Sequence, residues 1–217
     1  MIKTVALFGG SGGLGSALQE KLKEKYRVIS LSSKDVNIIS KSEVDKFFDT
    51  NDCDIVINLT CYNHDSFLHK YTIDKQEELQ KQINVNVVGT TNVLSSCLKK
   101  MREKKFGRII LASSILVEKP TVGTSIYAAS KSFIENLSKT CAAENISHNI
   151  TCNSIQLGYF DGGLTYKIPE NIREKILQEI PAKRFGTIDE LYNTVEFLIN
   201  TPYVNGNSIK INGGLCM

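Results

Sequence analysis

Lys3-Thr4-Val5-Ala6-Leu7-Phe8-Gly9-Gly10-Ser11-Gly12-Gly13-Leu14-Gly15 decides the fold. A β-prone apolar run leads straight into a glycine-rich turn. The turn opens a helical pattern with Leu14, Ala17, Leu18 and Leu22 on one face. Strand, glycine turn and helix in that order are the context in which a glycine cluster reads as a dinucleotide-binding fingerprint. Glycine is needed twice. A side chain would hold the backbone away from a pyrophosphate, and the turn uses conformations that only glycine adopts cheaply. The helix start then offers free N–H groups and the positive end of its dipole to phosphate. The spacing is G-x-x-x-G-x-G over Gly9, Gly13 and Gly15, with Ser11 and Gly12 inside the loop. Taken alone, such a cluster is also what any tight strand–helix turn requires.

The rest of the chain alternates in the same way. Strand patterns fall near 3–8, 27–31, 54–58, 108–112, 150–156 and 208–211, and helical patterns near 14–25, 41–49, 74–104, 126–144, 170–179 and 188–200. This order argues for a Rossmann-like, doubly wound α/β fold, a parallel sheet with helices on both faces. No repeat, low-complexity tract or Pro/Gly linker divides the chain, so residues 1–217 read as a single domain. One connection is short. The second strand ends near Leu31, and Asp35-Val36-Asn37-Ile38 follows almost at once. A helical crossover between parallel strands takes about a dozen residues or more. Either that helix is missing and one flank of the sheet is bare, or Asp35–Ile38 is not a full strand.

Composition sets the bounds. The chain has 217 residues, of which 41% are hydrophobic and 23% charged, enough for a sizeable core in a soluble protein. Lys and Arg number 26 against 23 Asp and Glu, a net +3, too balanced for a nucleic-acid partner. The densest basic stretch, Lys99 to Lys105, ends a helical pattern, where cations suit the dipole. The six cysteines form no C-x-x-C pair and read as small hydrophobes of a reducing compartment. His64, His69 and His148 do not pair with cysteines at metal-ligand spacing, so no metal is expected. No apolar run approaches the ~18 residues of a membrane helix, and no targeting segment precedes the first strand. The expectation is a cytoplasmic protein without a membrane partner.

The chemistry gathers at Tyr127-Ala128-Ala129-Ser130-Lys131, with Ser114 upstream. Residues at i and i+4 share a helix face, which brings the ammonium near the phenol. A free phenol has a pKa of about 10, and a nearby positive charge favours its ionised form. Such a tyrosine exchanges a proton with a carbonyl or alcohol oxygen near neutral pH, and a serine hydroxyl opposite can hold the same oxygen. Y-x-x-x-K alone is a common accident. It carries weight here because a nucleotide-binding turn precedes it.

In these pieces the chain resembles the short-chain dehydrogenase/reductase family nearly end to end. Gly9, Gly13 and Gly15 match the family's glycine turn. Asp54-Ile55-Val56-Ile57-Asn58 matches the strand that opens an Asn-Asn-Ala-Gly motif, and Asn84 to Gly89 the segment whose catalytic asparagine falls on Asn86. Gly107 to Ser114 matches the strand ending in the catalytic serine, followed by Tyr127 and Lys131. Asn153 to Gly158, Arg184-Phe185-Gly186 and Asn212-Gly213-Gly214 match the closing segments. The chain departs from the pattern at Phe8 (usually Thr), at Leu59-Thr60-Cys61 (Asn-Ala-Gly), at Leu157 (Pro), and at Gly162 (often a Thr). Shortened relatives, such as dihydropteridine reductases and bacterial deoxysugar-nucleotide reductases, are similar in lacking a long segment after the second strand.

The resemblance implies a set of roles. Hydride passes between a nicotinamide and a carbonyl or secondary alcohol. Tyr127 is the general acid/base, Ser114 holds the oxygen, Lys131 lowers the tyrosine pKa and binds the nicotinamide ribose, and Asn86 holds a water. The nucleotide is expected along Gly9, Ser11, Gly12, Gly13, Leu14 and Gly15, then Ser32, Ser33, Lys34, Asp35 and Val36 around the adenosine, Asn58, Leu59 and Thr60 beside it, and Gly158 and Phe160 over the nicotinamide. An acid at the tip of the second strand would grip the ribose of NAD and repel the extra phosphate of NADP. The tip reads Leu31-Ser32-Ser33-Lys34, without a carboxylate, so NADP is favoured and NAD is the alternative. Tyr166, Ile168, Ile172, Ile176 and Ile180 can form a partly apolar lid over a small-molecule substrate. Lys167, Arg173, Lys175, Lys183 and Arg184 can meet an anionic one. Apolar stripes over 87–101 and 133–141 match the family's usual dimer helices, and imply a homo-oligomer, dimer or tetramer. The competing reading is a non-catalytic NADP-binding sensor or scaffold that keeps the fold.

Overall fold

A computed structural model describes residues 2–162, 165 and 168–217. The chain runs β1 (Thr4–Phe8), α1 (Gly13–Leu22), β2 (Arg27–Leu31), α2 (Lys41–Thr50), β3 (Ile55–Asn58), α3 (Gln76–Ile83) and α4 (Thr90–Lys104). It continues through β4 (Gly107–Ser114), α5 (Ser125–Asn145), β5 (Ile150–Leu157), α6 (Glu170–Glu179), α7 (Ile188–Asn200) and β6 (Ser208–Ile211). The strands form one sheet in the order β2-β1-β3-β4-β5-β6, every neighbouring pair parallel. The doubly wound reading holds, and the sheet order reverses between β1 and β3.

Alternation along β1 feeds both faces. Ala6 and Phe8 point into a core with Phe47, Val56, Met101, Ile109, Ile134 and Cys152, beneath α2, α4 and α5. Val5 and Leu7 point into a second core with Leu18, Ile57, Ile110, Leu191 and Val195, beneath α1 and α7. Burial on both faces is why β1 and β3 read as continuous apolar runs rather than as alternating ones.

The short connection resolves in favour of the second alternative: Asp35–Ile38 is not a strand, and no helix lies between β2 and α2. The flank is nevertheless not bare. Val36 and Ile38 drop into the first core. The Asn92 side-chain amide on α4 donates to the Ile38 and Ile39 carbonyls at 2.9 and 3.1 Å. Gly89 leaves the room for this, because a Cβ there would lie 2.6 Å from the end of the Ile38 side chain. Phe8, Phe47 and Phe48 fill the space beneath, with ring centroids 5.0 to 5.9 Å apart. Phe8, a departure from the family pattern, thus supplies volume on a trimmed flank.

The helical stretch expected over 74–104 is divided. A turn of 3-10 helix at Ile73–Lys75 precedes α3, and a π-helical turn at Asn84–Gly89 separates α3 from α4. The apolar stripes that the resemblance assigns to subunit contact are mostly used inside this chain. Leu94, Met101, Ile134 and Cys141 lie in the first core, with Leu98 and Leu137 packed against it, while Val88 and Phe133 stay exposed.

The aromatic trio makes a stability prediction. Phe48→Ala should cost about 3–5 kcal/mol, as for other buried phenylalanines, seen as a lower denaturation midpoint at nearly unchanged slope. A loss below about 1 kcal/mol would mean that the trimmed flank collapses around the cavity instead of resting on these rings.

Candidate active site

In a parallel sheet all the strand carboxyl ends open on one edge, and the residues singled out in the sequence collect there. At the reversal point, Gly9 takes φ +81. Its amide and that of Gly10 donate to the Leu31 carbonyl at 3.0 and 3.1 Å, tying the exit of β1 to that of β2. A Cβ on Gly9 would lie 2.9 Å from the Thr60 nitrogen, and one on Gly15 only 2.1 Å from the Gly9 carbonyl oxygen. Gly12 precedes helix α1 at its N-cap, with no side-chain cap, and the first turn carries no acidic residue. Its leading amides, from Gly13 onward, and its dipole therefore face the cleft unopposed. A bare, positive, close-approach cradle of this kind fits a dinucleotide pyrophosphate. Asn58 holds the far wall. Its carboxamide donates to Thr90 Oγ1 at 3.3 Å and accepts from the Thr60 amide at 3.0 Å, which presses Leu59-Thr60 against Gly9.

The tip of β2 differs from its linear reading. Asp35 folds back, and its Oδ2 accepts from the Ser32 amide at 2.8 Å and the Ser32 hydroxyl at 2.6 Å. A carboxylate therefore does stand at this tip, and the hydrogen bonds from Ser32 hold it below the usual carboxylate range. Ser33 and Lys34 are exposed beside it. Val36 packs with the first core and Phe160 with the second. Gly158 sits so close to β6 that a Cβ would come within 2.7 Å of the Asn212 Cα.

Ser114, Tyr127 and Lys131 converge at the end of β4. Ser114 closes that strand and accepts from the Leu116 amide at 3.2 Å. Tyr127 and Lys131 lie one turn apart on α5 and are both buried. The Tyr127 phenol is close enough to the Ser114 hydroxyl and the Cys61 thiol for both to act on its proton. The Lys131 ammonium, 1% exposed, donates to the Ala112 carbonyl at 2.8 Å and lies 5.4 Å from the centre of the Tyr127 ring. Asn86 stands in the π-helical turn and does not reach Lys131. Its amide donates to Ser130 Oγ at 3.0 Å and to the Tyr62 carbonyl at 2.9 Å, and its oxygen accepts from the Tyr62 amide at 2.8 Å.

The electrostatics run against the simple spacing argument. Burial pushes the Tyr127 phenol well above the ordinary tyrosine range; the Cys61 thiol and the Asp65 carboxylate add to this, and Ser114 opposes it. Burial also lowers the proton affinity of Lys131. The ammonium sits over the ring face and donates its hydrogen bond to the Ala112 carbonyl. Desolvation then outweighs the attraction that the i, i+4 spacing implied. The result is a neutral phenol with its proton available.

The loop after β3 forms one side of the mouth. The His64 amide donates to Gln82 Oε1 at 2.6 Å, the Tyr71 hydroxyl donates to the His64 carbonyl at 3.0 Å, and the Ser66 amide donates to the Gly123 carbonyl at 2.8 Å. Across it, Lys119 pairs with Glu179 of α6 at 2.6 Å. The expected lid residues are divided. Ile180 is core, Ile172 is exposed, and Tyr166 and Lys167 lie outside the described residues. The basic residues of this segment are largely engaged. Arg184 pairs with both oxygens of Glu190, Arg173 with Glu170, and Lys183 donates to the Gln178 carbonyl. Among the described residues no three His, Cys, Asp or Glu side chains gather as a metal site, and no helix is long and apolar enough to cross a membrane.

Sequence reasoning missed Cys61, noted only as a departure, and the parts played by Ser130, Ala112 and the Tyr62 backbone. Cys61 follows directly on Asn58-Leu59-Thr60, so its place at the strand exit was the available signal. The Ala112 and Tyr62 contacts use backbone atoms, which no residue type announces.

A family model described as enoyl-(acyl carrier protein) reductase matches residues 15–216. The chain is 29% identical over 219 residues to the 3-oxoacyl-[acyl-carrier-protein] reductase FabG of Aquifex aeolicus, covering 98% of this chain and 87% of that protein. It is 28% identical over 238 residues to carbonyl reductase family member 4 of Xenopus tropicalis, covering 99% and 98%. It is 27% identical over 233 residues to the 3-oxoacyl-[acyl-carrier-protein] reductase MabA of Mycobacterium bovis, covering 99% and 93%. With the parallel sheet and the glycine turn at its reversal point, these matches establish that the chain belongs to the short-chain dehydrogenase/reductase family, whose relatives here are reductases.

Proposed function

We propose that this chain is an NAD(P)-dependent reductase that converts a carbonyl to an alcohol, with Tyr127 as the proton donor. The observation that carries the reading is the buried Tyr127, whose phenol burial holds in its protonated form and on which Ser114 acts, with Lys131 one turn along the same helix. The substrate carbonyl oxygen accepts hydrogen bonds from Ser114 Oγ and the Tyr127 hydroxyl, which polarises the carbon. The nicotinamide, when bound, supplies the hydride. The Tyr127 proton passes to the oxygen, and the Lys131 ammonium under the ring stabilises the phenolate left behind. Asn86 acts as a positioning residue; it clamps Ser130 of α5 to the loop after β3 and, by analogy with the family, orders a water leading from Lys131. The reductase names of the relatives support a carbonyl substrate. Exposed Val88 and Phe133 support a homo-oligomer.

For the cofactor, Ser33 and Lys34 favour NADP, since an ammonium and a hydroxyl suit a phosphate. Asp35 narrows the margin by placing negative charge beside them, and by occupying the Ser32 donors. Lys34→Ala should lower kcat/KM for NADPH about tenfold, the scale of one charge-assisted hydrogen bond, and leave NADH little changed. Asp35→Asn should raise the preference for NADPH. A wild type that turns over only NADH would reverse the assignment.

Steady-state reduction of a ketone panel tests the chemistry. Tyr127→Phe should cut kcat by about 10²–10⁴, the usual contribution of general acid catalysis, while nucleotide binding followed by fluorescence persists. Nucleotide binding with no turnover of any carbonyl by the wild type would favour the sensor reading. The pH profile is a separate check. A raised phenol keeps its proton, so reduction should be flat across neutral pH and fall only above about 10. An activity already falling near pH 7 would mean that Lys131 outweighs burial in the loaded enzyme.

A further inference from the structure

One residue before Ser114, a polar row crosses three strands of the sheet. Ser113 of β4, Gln156 of β5 and Lys210 of β6 stand side by side in strand register. Two carboxylates bridge them. Glu135 of α5 places one oxygen, Oε1, where Ser113 Oγ donates to it at 2.6 Å and Gln156 Nε2 at 3.1 Å. Glu118, in the loop after β4, accepts from the same Gln156 nitrogen at 3.2 Å and from Lys210 Nζ at 2.6 Å. The row is exposed at Glu118 and Lys210, and buried at Ser113, Gln156 and Glu135.

A carboxylate is expensive to bury, and apolar side chains of similar volume often serve stability as well or better. What a hydrogen-bonded row adds is direction, since its bonds weaken steeply when the groups shift. Its place in the chain shows which positions it sets. Tyr127, Lys131 and Glu135 follow at i, i+4 and i+8, along one face of α5. Lys131 donates to the Ala112 carbonyl at 2.8 Å, and Glu135 accepts from the next residue, Ser113. The residue after that is Ser114. The Lys131 bond alone would leave α5 a pivot on β4. The Glu135 bond, one turn further along, removes that rotation. Tyr127 lies on the other side of the pivot, about 12 Å along the axis from Glu135, so a tilt that Glu135 failed to stop would carry the phenol away from Ser114.

Resting on the reductase reading, we propose that Glu135 is a positioning residue for the reaction: it locks α5 to the end of β4 so that the Tyr127 hydroxyl and Ser114 Oγ reach the same carbonyl oxygen. It acts through Ser113 and touches neither the substrate nor the nicotinamide. Its part is that of a hydrogen-bond acceptor, engaged by a hydroxyl and an amide, while the Lys131 ammonium is held by the Ala112 carbonyl. A misplacement of about 1 Å among reacting groups costs on the order of a hundredfold in rate. The lock therefore acts on kcat and hardly on binding.

Reduction of ethyl acetoacetate, cyclohexanone and butane-2,3-dione with NADPH and NADH tests it in wild type, Glu135→Met, Glu135→Gln and Ser113→Ala. Methionine keeps the length and loses the acceptor; glutamine keeps an acceptor oxygen. Glu135→Met should lower kcat about 10- to 100-fold, with ketone KM and nucleotide affinity, followed by fluorescence, nearly unchanged. Glu135→Gln should restore most of that loss. Ser113→Ala removes one hydroxyl and spares the fold, so it carries the test if Glu135→Met does not fold. It should lower kcat about fivefold, the scale of one hydrogen bond, and cost nothing further in the Glu135→Met background. In the nucleotide-free protein, amide hydrogen exchange at residues 112–114 and 127–131 should quicken in Glu135→Met and not in Glu135→Gln. Phe48→Ala, which weakens the trimmed flank instead, should leave kcat near wild type. The positioning role is overturned, and the reductase reading left standing, by any of three results: kcat unchanged in Glu135→Met and Ser113→Ala, Glu135→Gln as slow as Glu135→Met, or an equal fall in Phe48→Ala. A wild type that reduces none of the three ketones with either nucleotide removes the reductase reading, and this inference with it.

Discussion

A buried ammonium is the constraint on which the site depends. Lys131 is almost wholly removed from water, and an unpaired ion in that position costs several kcal/mol. Among the described residues no carboxylate pairs with it. Its compensation is assembled from weaker partners: the Ala112 carbonyl at the end of β4, the face of the Tyr127 ring and the nearby Cys61 thiol. A cation over an aromatic face contributes about 0.5–2 kcal/mol, and a carbonyl hydrogen bond to a charged group about 1.5–3 kcal/mol. Each partner comes from a different element, so α5 must sit on β4 and the β3 exit in one arrangement for the charge to be tolerated. The demand that stabilises the ammonium also sets where the phenol and the Ser114 hydroxyl meet.

The trimmed flank shows how the fold accommodates a missing unit. Losing a strand and its helix would expose the outer face of β2 and the ends of α2 and α4. The chain answers with volume and with one polar strap. Phe8, Phe47 and Phe48 replace the lost packing, and Asn92 binds the short connection through two carbonyls. Gly89 serves both ends of this solution. Its missing side chain admits Ile38, and it closes the π-helical turn that carries Asn86. The compact flank and the orientation of Asn86 are therefore mechanically linked through one residue.

What could be read in the sequence follows from the range of each effect. Strands such as Val5–Phe8 and Ile55–Asn58 were legible because burial on both faces leaves an unbroken apolar signature, and the glycine turn because close backbone approach admits no other residue. The π-helical turn was not, since Asn84 to Gly89 differs from an ordinary helix only in its hydrogen-bond pattern. Asp35 was misplaced because linear spacing cannot show a side chain folding back to cap Ser32. Site composition was legible in Ser114, Tyr127 and Lys131 because the i, i+4 geometry is local. The direction of the tyrosine's proton affinity was not, because desolvation depends on every element packed around it.

That reversal bears on how the proposed proton transfer is driven. Here burial separates the two partners, raising the proton affinity of Tyr127 and lowering that of Lys131. The phenol holds its proton until a carbonyl oxygen begins to carry negative charge, and only a developing alkoxide is basic enough to take it. The phenolate then formed is the anion that Lys131 lacks, so the ammonium meets its best partner after proton transfer rather than before. On the proposed reading, a site whose charges are least matched at rest and better matched once the phenolate forms stabilises proton transfer in either direction, and the imbalance comes from how deeply α5 buries two residues one turn apart.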